Sequence, residues 1–245
     1  MHRRPRPVSL RRLYLLPEEF VAAEVRLAGA RAHRLSKVLR LRAGAELLVF
    51  DGVGGERRAN VLRAGRATAT LRLGVAVAPL AEPAVPVTLG CAFPRGARGD
   101  WIVEKSTELG VARIVPLRAS RAVIEPGAGR LARWRRVAIE AAEQCGRAVV
   151  PEIGGAAAPG ATALVADLGD GEVGSVTVRE ALARGRPPSA VVLYVGPEGG
   201  WSEEERVDHV AGGRVSVTLG PRTLRVETAA VLGVAQALEA TGGLA

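Results

Sequence analysis

Residues 190–205 constrain the fold of this chain more than any other stretch, because they spell strand, glycine loop and helix in immediate succession. The run Ala-Val-Val-Leu-Tyr-Val at 190–195 is apolar throughout and rich in β-branched residues, the pattern of a strand buried on both faces. Gly196, Pro197, Glu198, Gly199 and Gly200 follow, then Trp201. Ser202 with Glu205 three positions on makes a capping box, and Glu203, Glu204 and Glu205 put three acids where a helix start favours negative charge. In open α/β sheets, ligands collect outside the carboxyl ends of the strands, so this loop stands where a ligand would sit. Its glycines allow close backbone approach, and Pro197 stiffens the turn. A tight βα turn that binds nothing fits the local pattern equally well.

The rest of the chain divides by rhythm. From residue 87 strands and helices alternate: an apolar strand at 87–93, a basic loop at 94–99, then a helix capped by Asp100 and ended by Gly110. A strand at 113–117, a helix at about 129–147, a strand at 163–168 and a helix at 175–184 lead to the stretch above. A strand at 215–219 and the loop Gly220, Pro221, Arg222, Thr223, Leu224 precede a last helix at 226–240, apolar nearly all round and so expected to be buried. This order predicts an α/β domain with a mainly parallel sheet. Residues 10–80 instead show short strands at 13–16, 24–27, 46–50, 58–64 and 67–73, which suggest a small β-barrel interrupted by one helix at 32–41. Pro79, Pro83 and Pro86 mark a linker. The expected organisation is a β-barrel domain at 1–78, a linker at 79–86 and an α/β domain at 87–245.

Charge follows the same division. The net charge is +9, yet residues 1–80 carry 16 Lys/Arg against 6 Asp/Glu, while residues 81–245 carry 18 against 19. A basic module joined to a nearly neutral one points to a polyanion partner, nucleic acid above all. No apolar run approaches the roughly 18 residues of a membrane span, and the basic start of the chain lacks the apolar core of a signal peptide, so the expectation is a cytoplasmic protein with no membrane partner. Cys91 and Cys145 lie far apart without CxxC spacing, which argues for reduced thiols and no metal site.

Several clusters could carry chemistry. The glycine loops at 196–200 and 220–224 each follow a strand and would face one another if those strands were neighbours. Neither fits a dinucleotide or P-loop pattern. Arg222, Thr223, Arg225, Glu227 and Thr228 gather cations, an acid and hydroxyls at a helix entrance, suited to electrostatic work or to capping with one Arg–Glu pair. Glu140, Glu143, Gln144 and Arg147 share one side of a helix, the ordinary look of a solvated face. His33, Arg34, Lys37 and Arg40 form a basic helix face, best read as an RNA contact.

Five segments in order then resemble one family. They are Ala-His-Arg-Leu-Ser-Lys-Val-Leu-Arg-Leu at 32–41, Glu-Lys-Ser-Thr-Glu-Leu-Gly-Val at 104–111, and Arg133-Trp134 with Glu-Ala-Ala-Glu-Gln-Cys-Gly-Arg at 140–147. The loop at 195–205 and the segment at 219–229 complete the set. Together they resemble the ribosomal RNA small subunit methyltransferase E family of the SPOUT superfamily, over almost the whole chain. Pro221, Thr223 and Val226 depart from commoner family residues.

The resemblance implies an N-terminal PUA-like β-barrel that binds RNA and a C-terminal domain with a deep trefoil knot. It implies methyl transfer from S-adenosyl-L-methionine to uracil N3 of 16S rRNA, at uridine 1498 in the decoding region of the 30S subunit, by a homodimer. The cofactor would lie against Gly196, Pro197, Glu198, Gly199 and Gly200 on one side and Leu219, Gly220 and Leu224 on the other, with the strand end at 166–168 close by. Arg225 would stabilise developing charge with Glu227 orienting it, and Glu143 and Arg147 would contribute from the neighbouring helix. Arg11, Arg12, His33, Arg34, Lys37, Arg40, Arg95 and Arg98 would contact RNA. Another knotted methyltransferase acting on a ribose 2′-OH, or a non-catalytic RNA-binding protein, are the competing expectations; the PUA-like front end and the segment at 140–144 disfavour the former.

Overall fold

The computed structural model describes residues 10–122, 124–167 and 176–244. They form two compact units, Met1–Ala81 with Ala142–Val150, and Glu82–Ala141 with Pro151–Ala245.

In the first unit, β1 (Arg12–Tyr14), β3 (Glu46–Phe50), β4 (Glu56–Ala64), β5 (Thr68–Ala76) and β2 (Glu24–Ala28) lie side by side in that order. The β1–β3 pair is parallel and the others are antiparallel. Alternation within β2 (Val25 and Leu27 buried, their neighbours exposed) sends one face into a core with Leu13, Leu47, Val49, Val61 and Leu71. A short helix α1 (Pro17–Phe20) follows β1. The helix expected at 32–41 is shorter and differently wound: α2 (Ala30–His33) runs into a π-turn at Arg34–Val38. The β strands begin and end within a few residues of expectation.

The linear division at 79–86 misses one feature. Ala142–Val150 belongs to the first unit. Ala142 and Ala148 bury against Phe50, and Val150 N donates to the Gly52 carbonyl oxygen at 2.9 Å. Short-range pattern carries no signal for such a long-range insertion.

The second unit is a seven-stranded sheet in which every neighbouring pair is parallel. Its order is β10 (Val176–Thr177), β12 (Val215–Thr218), β9 (Thr162–Ala166), β11 (Val191–Val195), β6 (Val87–Cys91), β7 (Arg113–Pro116), β8 (Glu152–Ile153). The central β6 is buried at all five positions, as a parallel strand covered on both faces should be. Helices α3 (Arg98–Leu109), α4 (Ala128–Cys145), α5 (Val178–Ala183), α6 (Glu203–Ala211) and α7 (Val226–Ala240) make the connections or close the chain. Gly110 ends α3 in the left-handed region, as expected, but Ala97 is its N-cap, so Asp100 lies in the first turn and bonds Arg133 instead. The α7 helix packs on β11 so closely that a Cβ on Gly233 would meet Leu193 Cδ2 at 2.4 Å. Val226, Ala230, Val234, Ala237 and Leu238 bury one side of α7 while its other side is only partly covered. The helix expected from 175 starts at Val178, and the expected strand end at Leu168 lies outside the described residues. Among the described residues no helix is long and apolar enough to cross a membrane, and no group of three or more His, Cys, Asp and Glu could hold a metal ion.

Candidate active site at the carboxyl edge of the parallel sheet

The loops at 196–200 and 219–224 do meet, but not because their strands are neighbours. Strand β9 lies between β11 and β12, and its own carboxyl end supplies Ala166 and Asp167. Three strand ends therefore line a cleft of about 340 Å³. Gly196, Pro197, Glu198, Gly199 and Gly200 form one wall, Leu219 and Leu224 another, and Val226 and Ala229 of α7 also contribute. Gly220, expected in the wall, is not part of the lining; its left-handed φ of 128° and its 3.1 Å bond from N to Thr218 Oγ1 shape the turn instead.

The first wall is fixed from several sides. A Cβ on Gly196 would lie 2.8 Å from Trp201 Cε2, so only glycine lets the indole pack flat under the backbone. Trp201 is buried and its Nε1 donates to the Ala166 carbonyl oxygen at 3.1 Å. Arg121 Nη1 donates to the Gly199 carbonyl oxygen at 2.7 Å. Gly200 adopts φ 71° and its amide bonds back to Pro197. The expected capping box is present: Glu205 N donates to Ser202 Oγ, and Ser202 N to Glu205 Oε2 at 2.8 Å. Burial pushes the Glu205 carboxyl up, but the amides of Ser202 and Ser120 outweigh it and hold the group below the usual range. Behind the wall, His209 meets the Trp201 ring edge-on at 4.5 Å between centroids. At the strand end, Asp167 pairs with Arg206, Oδ2 to Nε at 3.1 Å.

Beside the cleft, Arg98 stands between two acids. Its Nη1 is 3.3 Å from Glu198 Oε1 and 3.6 Å from Glu227 Oε2. Burial first, then the charges of these same two acids, push the Cys91 thiol up. Glu227 thus serves Arg98, not Arg225 as the sequence suggested. Arg225 is exposed at the N-cap of α7. A helix start presents unpaired amides, and a cation there adds to its positive field.

Glu143 and Arg147 have other duties. The Glu143 side chain is 7% exposed, accepts from Tyr14 N at 3.0 Å and pairs with Arg34. Arg147 is buried, and its carbonyl oxygen accepts from Arg12 Nη2 at 2.9 Å. The Glu143 side chain and the Arg147 carbonyl oxygen thus help tie Ala142–Val150 into the first unit. Arg12 also pairs with Glu56, which leaves Arg12 and Arg34 engaged inside the protein. Arg11, His33, Lys37, Arg40 and Arg95 are exposed. The strand end at 166–168, expected close to the ligand, supplies Ala166 and Asp167 to the cleft, whereas no local pattern announced Arg206 or the packing of Trp201.

Known proteins are similar to this chain in sequence and fold. An RNA methyltransferase domain model matches residues 81–238, and an RNA methyltransferase PUA domain model matches residues 27–74. The ribosomal RNA small subunit methyltransferase E of Synechocystis is 35% identical over 92% of this chain and 76% of its own length. That of Mycobacterium bovis is 34% identical, over 83% and 82%. The crystal structure of a Neisseria gonorrhoeae ribosomal RNA small subunit methyltransferase E bound to S-adenosyl methionine is 31% identical, with a TM-score of 0.82 over 94% of this chain and 97% of that one. A Legionella pneumophila methyltransferase with bound SAM has a TM-score of 0.85 at 29% identity, over 95% and 98%. The two units, the parallel sheet with its three-loop cleft and these matches agree: the chain belongs to the ribosomal RNA small subunit methyltransferase E family.

Proposed function

We propose that this chain methylates N3 of a uracil in 16S rRNA, with S-adenosyl-L-methionine as methyl donor. The carrying observation is the cleft at the ends of β9, β11 and β12, where the glycines of one loop leave room for a ligand to approach the backbone. Its dimensions fall in the range of small-molecule sites. Gly196, Pro197, Glu198, Gly199, Gly200, Leu219 and Leu224 would hold the cofactor: apolar walls and backbone groups suit adenosine, and Glu198 and Asp167 supply negative charge toward a sulfonium. The loop at 196–200 does not fit a P-loop pattern, which suits a ligand without a triphosphate.

When bound, the cofactor supplies an activated methyl group and a neutral leaving group. The protein's share is to orient the uracil, exclude water and manage the N3 proton. Arg225 would stabilise negative charge that develops on the base or hold a neighbouring phosphate, and Glu227 with Arg98 would set the charge nearby. Residues 1–78, joined by Ala142–Val150, act as the RNA-binding PUA-like domain, and the rest of residues 87–245 as the knotted catalytic domain of the superfamily. The reading extends to an assembled 30S subunit as substrate, a homodimer as the working form, and the cytoplasm as the place of action.

Two measurements test this. Calorimetry reads binding of S-adenosyl-L-methionine to the purified protein. Mapping of methylated nucleotides in 16S rRNA from wild-type and deletion strains reads the target. Loss of one N3-methyluridine on deletion supports the reading; an unchanged rRNA, or a changed ribose methylation, refutes it.

A further inference from the structure

Most arginines of the PUA-like unit with an acid nearby are already engaged. Arg12 pairs with Glu56, Arg31 with Glu19, Arg34 with Glu143, Arg58 with Glu46 and Arg72 with Glu24, while Arg57 donates to the carbonyl oxygens of Gly74 and Phe20. Arg11, Arg26, Lys37, Arg40, Arg42, Arg63 and Arg66 show no side-chain ion pair or hydrogen bond among the described residues, and of these Lys37, Arg42 and Arg66 come together. These three line one cleft of about 310 Å³ between the π-turn and the β4–β5 hairpin, with Ser36 and Gly65, and no acid lines it. Like charges gathered in a concavity repel one another and focus a positive field outward.

The backbone of this cleft is unusual in a second way. Leu39 N donates to the Arg34 carbonyl oxygen at 2.9 Å, and Leu41 N to that of Leu35 at 3.0 Å, so the turn closes through wide i→i+5 and i→i+6 bonds. Closure requires Arg40 to take φ 56°, and among the described residues it is the one non-glycine with positive φ. Glycine ordinarily fills this position, since a side chain there is strained. An exposed arginine kept in a strained conformation, between lining residues Lys37 and Leu41, points to a use for its side chain outside the fold. Across the cleft, the bond from Gly65 N to the Thr68 carbonyl oxygen at 2.9 Å holds the hairpin tip that carries Arg66.

We propose that this cleft grips the sugar–phosphate backbone of the substrate RNA. Lys37, Arg42 and Arg66 meet phosphate oxygens, and Arg40 reaches the strand beside them. The inference rests on the methyltransferase reading above and adds the place where the RNA is held.

The test is filter binding of the full-length protein to 30S subunits that lack the methylation, over about 50–200 mM salt. The double variant Arg42→Gln/Arg66→Gln removes two phosphate contacts. The slope of log affinity against log salt should become shallower by roughly 1.4–1.8, with affinity about tenfold weaker. Calorimetric binding of S-adenosyl-L-methionine should stay at its wild-type value. Arg72→Gln, which breaks an exposed pair on the same unit, should leave the slope alone. Arg40→Gly should weaken RNA binding yet melt no lower than wild type, because relief of strain offsets the added freedom of the unfolded chain. A double variant with the wild-type slope, beside a wild type that binds and methylates, overturns the cleft alone. A wild type that neither binds nor methylates 30S subunits overturns the cleft together with the methyltransferase reading.

Discussion

The Trp201 indole nitrogen donates to the Ala166 carbonyl oxygen at 3.1 Å, and so ties the loop after β11 to the end of β9. The same ring leaves no room for a Cβ on Gly196. One side chain thus sets both the separation of two cleft walls and the residue type in one of them. Trp201→Phe keeps an aromatic ring but leaves the carbonyl without its donor, at about 1 kcal/mol. Calorimetric affinity for S-adenosyl-L-methionine should fall about fivefold. Gly196→Ala drives a methyl group into the indole, an overpacking of about 1–3 kcal/mol, and should weaken the cofactor more than Trp201→Phe does. The reverse order would mean that the loop, not the ring, yields.

Arg98 shares one guanidinium between Glu198 in the cleft wall and Glu227 on α7. Its side chain is 43% exposed, so solvent screens the pairs, and Arg98→Gln should change stability by less than about 1 kcal/mol. Two carboxylates left facing each other will nevertheless reorient. The expected outcome is a fall in kcat of about tenfold at saturating 30S subunits, an order of magnitude that corresponds to about 1.4 kcal/mol in the barrier. An unchanged kcat with a raised KM would return Arg98 to a plain RNA contact.

The sequence reading was strongest where structure is local. The α7 boundaries, the Ser202–Glu205 box, the left-handed Gly110 and the β11 strand follow from patterns that span a few residues. Most of the cleft wall was legible for the same reason, since glycines next to a buried strand end are a local signal. What it misplaced depends on long-range pairing. Strand order put β9 between β11 and β12, which no periodicity encodes; the resemblance, not the local pattern, pointed to the strand end that carries Asp167. Glu143 has the spacing of a solvated helix face and becomes buried because Tyr14 and Arg34 arrive from more than a hundred residues away. Residues that look alike on a helical wheel are separated only by what packs on them.

That burial makes Glu143 a test of role. Glu143→Gln keeps the shape and an acceptor for the Tyr14 amide but strips Arg34 of its charged partner. Breaking a buried pair of this kind should cost about 2 kcal/mol, read as a lower urea midpoint with an unchanged m-value. Turnover at saturating substrate, measured well below the melting temperature, should stay within a few-fold of wild type. A loss of turnover of a hundredfold in a variant of normal stability would restore Glu143 to the chemistry.

His209 should make the wall of the cleft sensitive to pH. Its ring packs edge-on against Trp201 and lies 6.4 Å from the Tyr194 ring, centroid to centroid. Arg214 Nη1 lies 2.5 Å from Nδ1, so that nitrogen accepts and the ring proton belongs on Nε2. Burial first, then the Arg214 charge, hold the imidazole below its ordinary value of 6.5, and Glu205, Asp167 and Asp208 oppose them only in part. The unfolded chain therefore binds a proton that the folded one refuses. Stability is complete above pH 6.5 and declines as pH falls from there toward the lower folded value. Wild-type urea midpoints should drop through this window, while His209→Gln, which has no proton to gain, should show a flatter profile. Cofactor affinity should weaken in parallel for the wild type alone, because the charged ring pushes on Arg214 and loosens the support under Trp201. A variant that retained the wild-type pH slope would assign the sensitivity to another group.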